Sequence, residues 1–166
     1  RGPGPVPRFE LRGSPAQVAV WQATLALPAV QPEHWALAAV LAGTPQVSEQ
    51  TVDRFVPQTI DLDTAGGVSF TKGCYPGQEI VARVHYLGRA KQRLRLARAT
   101  ALLAAGTPVL DAAGQGVGEV MACAAAGNEG ALASLSLNVS HGSAPLHTAE
   151  GVALQPVAAA SEPAVA

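Results

Sequence analysis

The segment KGCYPGQE, residues 72–79, combines a thiol, a basic side chain and two glycines at a predicted turn into a helix. Gly73 and Gly77 allow backbone conformations and close approaches that a side chain would prevent. Cys74 is then expected just before a helix N-terminus and two residues from Lys72, and both neighbours stabilise a thiolate. Such a thiol serves as a nucleophile, a redox-sensitive group or a soft-metal ligand. The residues alone favour a simpler interpretation, a half-buried cysteine that fills a gap between a strand and a helix.

The remaining candidates for chemistry favour structural roles. The sequence has no CxxC pair, and its four histidines show no ligand spacing with either cysteine, so no metal site is expected. Cys123 lies in a predicted strand and is expected in the core, and His85 is expected on the surface of a helix. The glycines of residues 114–118 predict a β-turn rather than a phosphate loop, because no helix follows them.

Basic residues are concentrated in one stretch of the chain. Six of the eleven lysines and arginines fall between Arg83 and Arg98, and none follows Arg98. Arg93 and Arg95 alternate with leucines, so they share one strand face, which Lys91 extends. Such a face suits RNA phosphates or an anionic ligand tail. Aromatic stacking platforms are missing nearby, so we favour an ordinary solvated face over direct binding of tRNA or another RNA.

The first predicted helix begins with strong local signals. Ser14 is suited to be its N-cap, and Pro15 is suited to its first position. The apolar residues Val18, Trp21 and Leu25 recur at helical spacing, which predicts an amphipathic helix with one buried face.

Three further segments lead up to the motif. Residues 8–13 predict a short strand before the first helix. The apolar residues 31–45 predict a second element that is helical or, at its centre, a strand. Residues 52–67 predict a loop with a short helix, and residues 68–74 predict a strand that ends at the cysteine.

The clearest helix follows the cysteine, over residues 76–88. Pro76 lies near its start and Gly88 at its end, which are the favoured places for these residue types. Glu79 suits the first turn and is spaced for an ion pair with Arg83. One apolar face is expected to hold Ile80, Val84 and Leu87.

Composition limits the class of protein. The chain has 166 residues, 48% of them hydrophobic and 14% charged, which suits a packed core of one domain or slightly more. The net charge of −1 gives no overall attraction to nucleic acid or membranes. Apolar runs are too short to span a bilayer, no signal peptide is visible, and two cysteines form no disulfide framework. A cytoplasmic location is therefore expected.

The C-terminal part has a different pattern from the rest. Residues 93–157 contain polar and apolar alternation separated by glycine-rich turns, which predicts a small antiparallel β-barrel or sandwich. Residues 1–8 are rich in proline and glycine and predict a linker. Residues 158–166 predict a disordered tail.

The motif and its flanks resemble one known family. KGCYPGQE is similar to the signature of the YgfZ family of folate-binding proteins, which are related to the aminomethyltransferase of the glycine cleavage system. The flanking blocks FVPQTIDLD, GGVSF and EIVARVHYLG resemble that family in the same order. The similarity is strong over residues 33–96 and weaker over the barrel. Asp61 stands where the family more often has asparagine.

The resemblance implies an α+β fold. Residues 9–92 are expected to form part of an aminomethyltransferase-like, ferredoxin-like core that binds folate, and a small antiparallel β-barrel follows it. Family members have a whole N-terminal half before the point where this chain begins. The chain is therefore expected to correspond to their C-terminal part, with the core truncated at its N-terminal side.

The resemblance also implies a function. Family members bind tetrahydrofolate or a derivative and support iron–sulfur enzymes, including one that thiomethylates tRNA. The expected partners are iron–sulfur assembly proteins or iron–sulfur tRNA-modifying enzymes. The family's folate-binding tryptophan matches Trp35, and its central cysteine matches Cys74, where a transient iron–sulfur cluster is a further expectation. The rest of the motif is matched by Lys72, Gly73, Tyr75, Gly77, Gln78 and Glu79.

Three functions remain open from the sequence. The first is a folate-binding accessory protein for iron–sulfur cluster assembly or repair, acting through Cys74 and thereby supporting tRNA modification. The second is a folate-dependent enzyme of the aminomethyltransferase type, but such relatives lack the cysteine and the Gln–Glu pair of this motif. The third is an RNA-binding module. We favour the first, and leave open whether the protein is an enzyme.

Overall fold

Among the residues that the computed structural model describes, 7–127, 130–141 and 144–157, six antiparallel strands close into a barrel. Their order around the barrel is β1-β4-β3-β2-β5-β6, and β6 pairs with β1 to close it. The barrel predicted for residues 93–157 is confirmed. Residues 1–6 of the predicted linker and the predicted tail, 158–166, lie outside the described residues. The strands are β1 (Gln92–Ala99), β2 (Pro108–Leu110), β3 (Gly116–Ala125), β4 (Ala131–Asn138), β5 (Leu146–His147) and β6 (Ala153–Pro156).

Aliphatic side chains from all six strands fill the barrel. Every second residue of β4 points inward, from Ala131 to Leu137. Each fully buried valine or leucine side chain contributes about 1.5–3 kcal/mol relative to its exposed state. The inward cluster also contains Ala97, Ala99, Val109, Val117, Val120, Leu146 and Leu154.

Three α-helices and two short 3₁₀ helices accompany the barrel in the described residues. The α-helices are α1 (Pro15–Leu25), α2 (Pro32–Leu41) and α3 (Gln78–Leu87). The 3₁₀ helices are Pro57–Ile60, called the 3₁₀ helix below, and Val139–His141. None of the helices in the described ranges has the length and hydropathy needed to cross a membrane.

The start of α1 agrees with its sequence signals. The Ser14 hydroxyl accepts a hydrogen bond from the Gln17 backbone N–H, and the Gln17 side chain accepts one from the Ser14 N–H. This reciprocal pair is a capping box, which satisfies two N–H groups at the helix start. The predicted buried face is wrong, because Val18 and Trp21 are only half-buried and Leu25 is exposed.

The outer face of β4 is covered as well as its inner face. Val40 of α2 packs on Leu132, and the Ser136 hydroxyl donates a hydrogen bond of 3.0 Å to the Thr59 carbonyl of the 3₁₀ helix. The neighbouring β3 approaches so closely that a Cβ at Gly118 would collide with the Ser136 carbonyl oxygen. The helices are therefore attached to the barrel mainly through β4 and its neighbours.

Two predicted strands are wrong. In the described part of the chain, residues 8–13 contain only an isolated β-bridge at Arg8, and residues 68–74 form no strand. In the second, the Lys72 backbone N–H donates to the Ser69 hydroxyl, and this local bond replaces a pairing between strands. The ambiguous segment 31–45 contains helix α2, for which Pro32 at the first position is well suited.

Helix α3 begins and ends close to its predicted bounds. Its N-cap is Gly77, whose φ of 80° lies in the left-handed region that favours glycine, so Pro76 lies just outside the helix. Gly88 is its C-cap, as predicted. The expected apolar face is wrong: Val81 is the buried residue, whereas Ile80 is 58% exposed.

Candidate functional site

Cys74 lies on an irregular loop that leads into α3. Its side chain is exposed, and it is a free thiol. The prediction of a half-buried, gap-filling cysteine, which the residue types favoured, is therefore wrong. At Gly73 a Cβ would meet no atom within 4 Å, so the loop is not packed against other parts of the described chain there. The thiol is open to solvent and to other molecules.

Lys72 is held by its neighbour in the motif. Its ammonium group lies 4.7 Å from the centre of the Tyr75 ring, within the range of a cation–π interaction. Lys72 and Tyr75 lie on either side of Cys74 in the chain, so this contact joins the two sides of the loop. It also keeps a positive charge within the motif, two residues from the thiol.

A ring stack joins the start of the loop to α3. The rings of Phe70 and His85 are stacked with centres 3.7 Å apart and an angle of 16° between their planes. Tyr86 meets His85 edge-on, with the ring centres 4.7 Å apart. His85 is exposed, as predicted for a surface residue, but it also fixes the segment that precedes Cys74.

Gln58 connects α3 to the 3₁₀ helix. Only 1% of Gln58 is exposed, and its side-chain N–H donates a hydrogen bond of 2.7 Å to the Val81 carbonyl. Its Oε1 atom accepts no hydrogen bond from the described residues. Sequence reasoning missed this residue, although a glutamine within the mostly apolar block FVPQTI was a signal that it has a buried partner.

Arg93 has an internal role that the sequence analysis did not predict. Its Nη1 atom donates to Asp61 and Asp63, each at 3.1 Å, and to the Gln58 carbonyl at 3.2 Å. Burial lowers the pKa of Arg93, but the hydrogen bond and charge of Asp61 and the charge of Asp63 outweigh it and raise that pKa overall. The arginine thus fixes the 3₁₀ helix to β1, and the prediction of an ordinary solvated face is wrong at this position.

Asp61 combines a charge with a left-handed backbone. Burial raises the pKa of its carboxyl group more than the nearby Arg93 lowers it. Its φ is 57°, in the region that asparagine and aspartate tolerate better than other side chains. This conformation explains physically why asparagine suits the same place in the resembling family.

Trp35 lies on the exposed side of α2. It is 51% exposed, and the Arg8 guanidinium lies 5.3 Å from the centre of one of its rings. Arg8 also donates to the Thr44 hydroxyl at 3.1 Å, so the end of the predicted linker packs on the folded part. One face of the indole remains suited to stacking against a planar ligand.

Trp35 and Cys74 are carried by elements that dock at different places on β4. Helix α2 docks on Leu132, whereas the 3₁₀ helix that carries α3 docks on Ser136, four residues further along β4. Four residues span about 13 Å of a strand. The tryptophan and the thiol are thus supported by different parts of β4.

Two cavities lie near the helices. One is an apolar pocket of about 200 Å³ beside α1, between Leu11, Trp21 and Leu27. The other is a cleft of about 320 Å³ at the end of α3. Neither includes Trp35 or Cys74 in its lining. The lining of the cleft is mixed in charge and consists of Gln58, Asp63, Val84, His85, Gly88, Arg89, Ala90, Arg93 and Val139.

Cys123 differs from Cys74 in its exposure to solvent and in the residues around it. It lies half-buried on β3 and packs against the barrel core, in agreement with its predicted place. Burial raises the pKa of its thiol. In the described part of the chain no three His, Cys, Asp or Glu side chains are grouped so that they could hold a metal ion.

Comparison with curated proteins finds relatives that are named tRNA-modifying protein YgfZ. The chain is 40% identical over 91 residues to the tRNA-modifying protein YgfZ of Colwellia psychrerythraea, which is 55% of this chain and 28% of the relative. It is 43% identical over 68 residues to YgfZ of Edwardsiella ictaluri, covering 41% of this chain and 20% of the relative. YgfZ of Escherichia coli is 39% identical over 69 residues, covering 42% and 21%.

These matches cover less than a third of each relative, so the chain corresponds to only part of their length. No protein-family profile matches the chain. The resemblance that the motif KGCYPGQE and its flanks predicted is confirmed: this chain is similar to a part of the YgfZ tRNA-modifying proteins.

Proposed function

We propose that this chain is part of a folate-binding accessory protein that supports iron–sulfur cluster assembly or repair in the cytoplasm, and thereby tRNA modification. Cys74 is its functional thiol. The observation that carries the proposal is the exposure of Cys74 on a loop that its own motif orders. The names of the similar proteins, which are tRNA-modifying, support the process in which it acts.

The surroundings of Cys74 suit a thiol that reacts with other molecules. Gly77 has no side chain with which to cap α3, and its own carbonyl accepts the Val81 N–H at 3.4 Å. The positive end of the helix dipole is therefore not covered by a capping side chain and is open to an anionic group of another molecule. Lys72 adds a positive charge in the same loop.

The described residues do not fit a resident iron–sulfur cluster. Such clusters are held by several thiolates, usually four. Cys123 lies on β3 in the barrel, and the described residues contain no group of three metal-binding side chains. Cys74 fits at most as one ligand of a cluster whose other ligands come from a partner protein. We therefore assign to Cys74 the role of an exposed thiol and derive no step through a cluster.

Folate binding fits one side chain of this chain. The indole of Trp35 is half exposed and has a face suited to a pterin or aminobenzoyl ring. Arg8 covers one side of it, which leaves a single face for stacking. When bound, the folate supplies a one-carbon carrier. The chain provides one wall for it, and we propose that the other walls lie elsewhere in the intact protein.

The test is genetic complementation with matched cysteine variants. In a strain that needs the intact protein to sustain an iron–sulfur tRNA-modifying enzyme, Cys74→Ser is expected to abolish rescue. Cys123→Ser, which removes the other thiol from the barrel, is the control and is expected to retain rescue. Full rescue by Cys74→Ser, with both variants present at equal levels, contradicts the proposal and makes the thiol dispensable.

A further inference from the structure

The end of α3 and the start of β1 carry a run of basic residues that no acidic residue interrupts in the sequence. No Asp or Glu occurs between Glu79 and Asp111, whereas six basic residues do. The chain as a whole has a net charge of −1, so its other parts are acidic on balance. An anion approaching this molecule is therefore attracted to one region rather than to the whole surface.

Three of these cations point to solvent without an ionic partner. Arg83, Arg89 and Lys91 are exposed, and none forms an ion pair with the described residues. The predicted ion pair between Glu79 and Arg83 does not form in the described part of the chain. We call Arg83, Arg89 and Lys91 the basic edge. Arg93 does not belong to it, because Asp61 and Asp63 neutralise its charge.

An exposed aromatic ring lies within the basic edge. Tyr86 is 68% exposed, and it follows Arg83 by three residues, so the two lie on the same side of α3. Its edge rests on His85, which limits its freedom. The sequence analysis found no stacking platform here, but the structure presents one. A ring beside cations is the combination that binds a base and its phosphates.

The cleft of about 320 Å³ adjoins the same edge. Arg89 and His85 belong to its lining, together with the backbone at Gly88, where no side chain obstructs entry. A side chain of the basic edge thus stands at the mouth of a concave site. An unpaired nucleotide whose base stacks on Tyr86 would have its phosphates within reach of these cations.

We propose that the basic edge and Tyr86 bind RNA, with the cations on phosphates and the ring on an unpaired base. This inference goes beyond the proposed function, because neither Cys74 nor folate takes part in it. Charge complementarity favours a polyanion, and the exposed ring favours one that carries bases. Anionic membranes and acidic proteins share only the first of these two features.

The number of cations sets the expected salt dependence. Each phosphate contact to a single strand adds about −0.7 to the slope of log affinity against log salt. Three contacts therefore give a slope of about −2, and a roughly 20-fold loss of affinity between 50 and 200 mM salt. Removal of one base-stacking ring is expected to weaken binding roughly 5- to 150-fold.

The experiment titrates unmodified tRNA transcript with the full chain at several salt concentrations. We expect each single substitution to reduce the steepness of the plot of log affinity against log salt by about 0.7. The substitutions are Arg83→Gln, Arg89→Gln and Lys91→Gln. The triple variant is expected to show no salt dependence from these contacts. Arg12→Gln is the charge-matched control, since Arg12 is exposed but pairs with Glu10. Tyr86→Ala is expected to weaken binding and Tyr86→Phe to preserve it.

Two outcomes would overturn the proposal. One is that the triple variant binds tRNA with the same affinity as the wild type, when both proteins unfold at the same temperature. The other is that the chain binds vesicles of anionic phospholipid as tightly as tRNA or more tightly, and that Tyr86→Ala leaves the affinity for tRNA unchanged. That result would assign the basic edge to a membrane surface. Either result leaves complementation through Cys74 unaffected, so the two proposals fail independently.

Discussion

Substitution of Gln58 tests the link between the barrel and the motif. The Gln58 side-chain N–H donates to the Val81 carbonyl at 2.7 Å in a buried site. Gln58→Ala removes this buried hydrogen bond, which costs about 0.5–1.5 kcal/mol, and leaves a small cavity that adds to the loss. We expect a loss of about 1–3 kcal/mol in the free energy of unfolding, a sizeable share of the roughly 5–15 kcal/mol typical of a domain.

Two further substitutions separate the causes. Gln58→Met keeps most of the volume and removes the Oε1 atom, which has no partner among the described residues. It is expected to recover at least about 1 kcal/mol relative to Gln58→Ala, because its side chain fills the cavity that alanine leaves. Gln58→Glu places a carboxylate against a carbonyl oxygen and is expected to be the least stable of the three at neutral pH.

The glutamate variant also predicts a direction with pH. Burial beside a carbonyl raises the folded-state pKa of a glutamate above its unfolded value of about 4.3, because only the protonated form can donate. The stability that the protonated glutamate contributes to the Gln58→Glu chain is therefore fully present below the unfolded-state pKa of about 4.3. It is lost as the pH rises through the folded-state pKa.

Urea unfolding of the full chain measures the free energies, and hydrogen exchange of the α3 amides shows whether α3 detaches first. A Gln58→Ala chain within about 0.5 kcal/mol of the wild type would refute the reasoning, as would Gln58→Met no more stable than Gln58→Ala.

The remaining predictions concern the thiols and the indole. Alkylation of the folded chain is expected to modify Cys74 at least about tenfold faster than Cys123, because only the first is exposed and burial raises the pKa of the second. Peptide mapping over time gives both rates, and equal rates would mean that the thiols are equally accessible. Trp35→Ala is expected to weaken folate binding by the intact protein roughly 2- to 10-fold, whereas Trp21→Ala is expected to leave it unchanged. Calorimetric affinities that are the same for both variants would remove Trp35 from the folate site.

Local signals predicted the elements that depend on local bonds. Ser14 and Pro15 set the start of α1, and Gly88 ends α3, because caps are determined by residues a few positions apart. Alternation likewise predicted the barrel, in which β4 buries every second side chain in the core that the six strands share. The motif itself could be identified from its residues, and its exposed thiol is the feature that only the structure supplied.

Features that depend on distant partners could not be predicted. Arg93 looked solvated from its strand pattern, but Asp61 and Asp63, about thirty residues earlier, neutralise it. The apolar face expected on α3 failed for the same reason. Val81 is the buried residue of α3 and lies where Gln58 of the 3₁₀ helix meets it, and no periodicity within α3 contains that information.

A series of contacts connects the barrel to the loop that carries the thiol. Ser136 on β4 holds the 3₁₀ helix through the Thr59 carbonyl, and Gln58 of that helix holds α3. The stacked rings of Phe70 and His85 then hold the loop to α3. Arg93 also fixes the 3₁₀ helix to β1, so the weaker links are those from Gln58 to α3 and from Phe70 to His85. Substitution of Phe70 or His85 is therefore expected to alter the reactivity of the thiol before it affects the stability of the barrel.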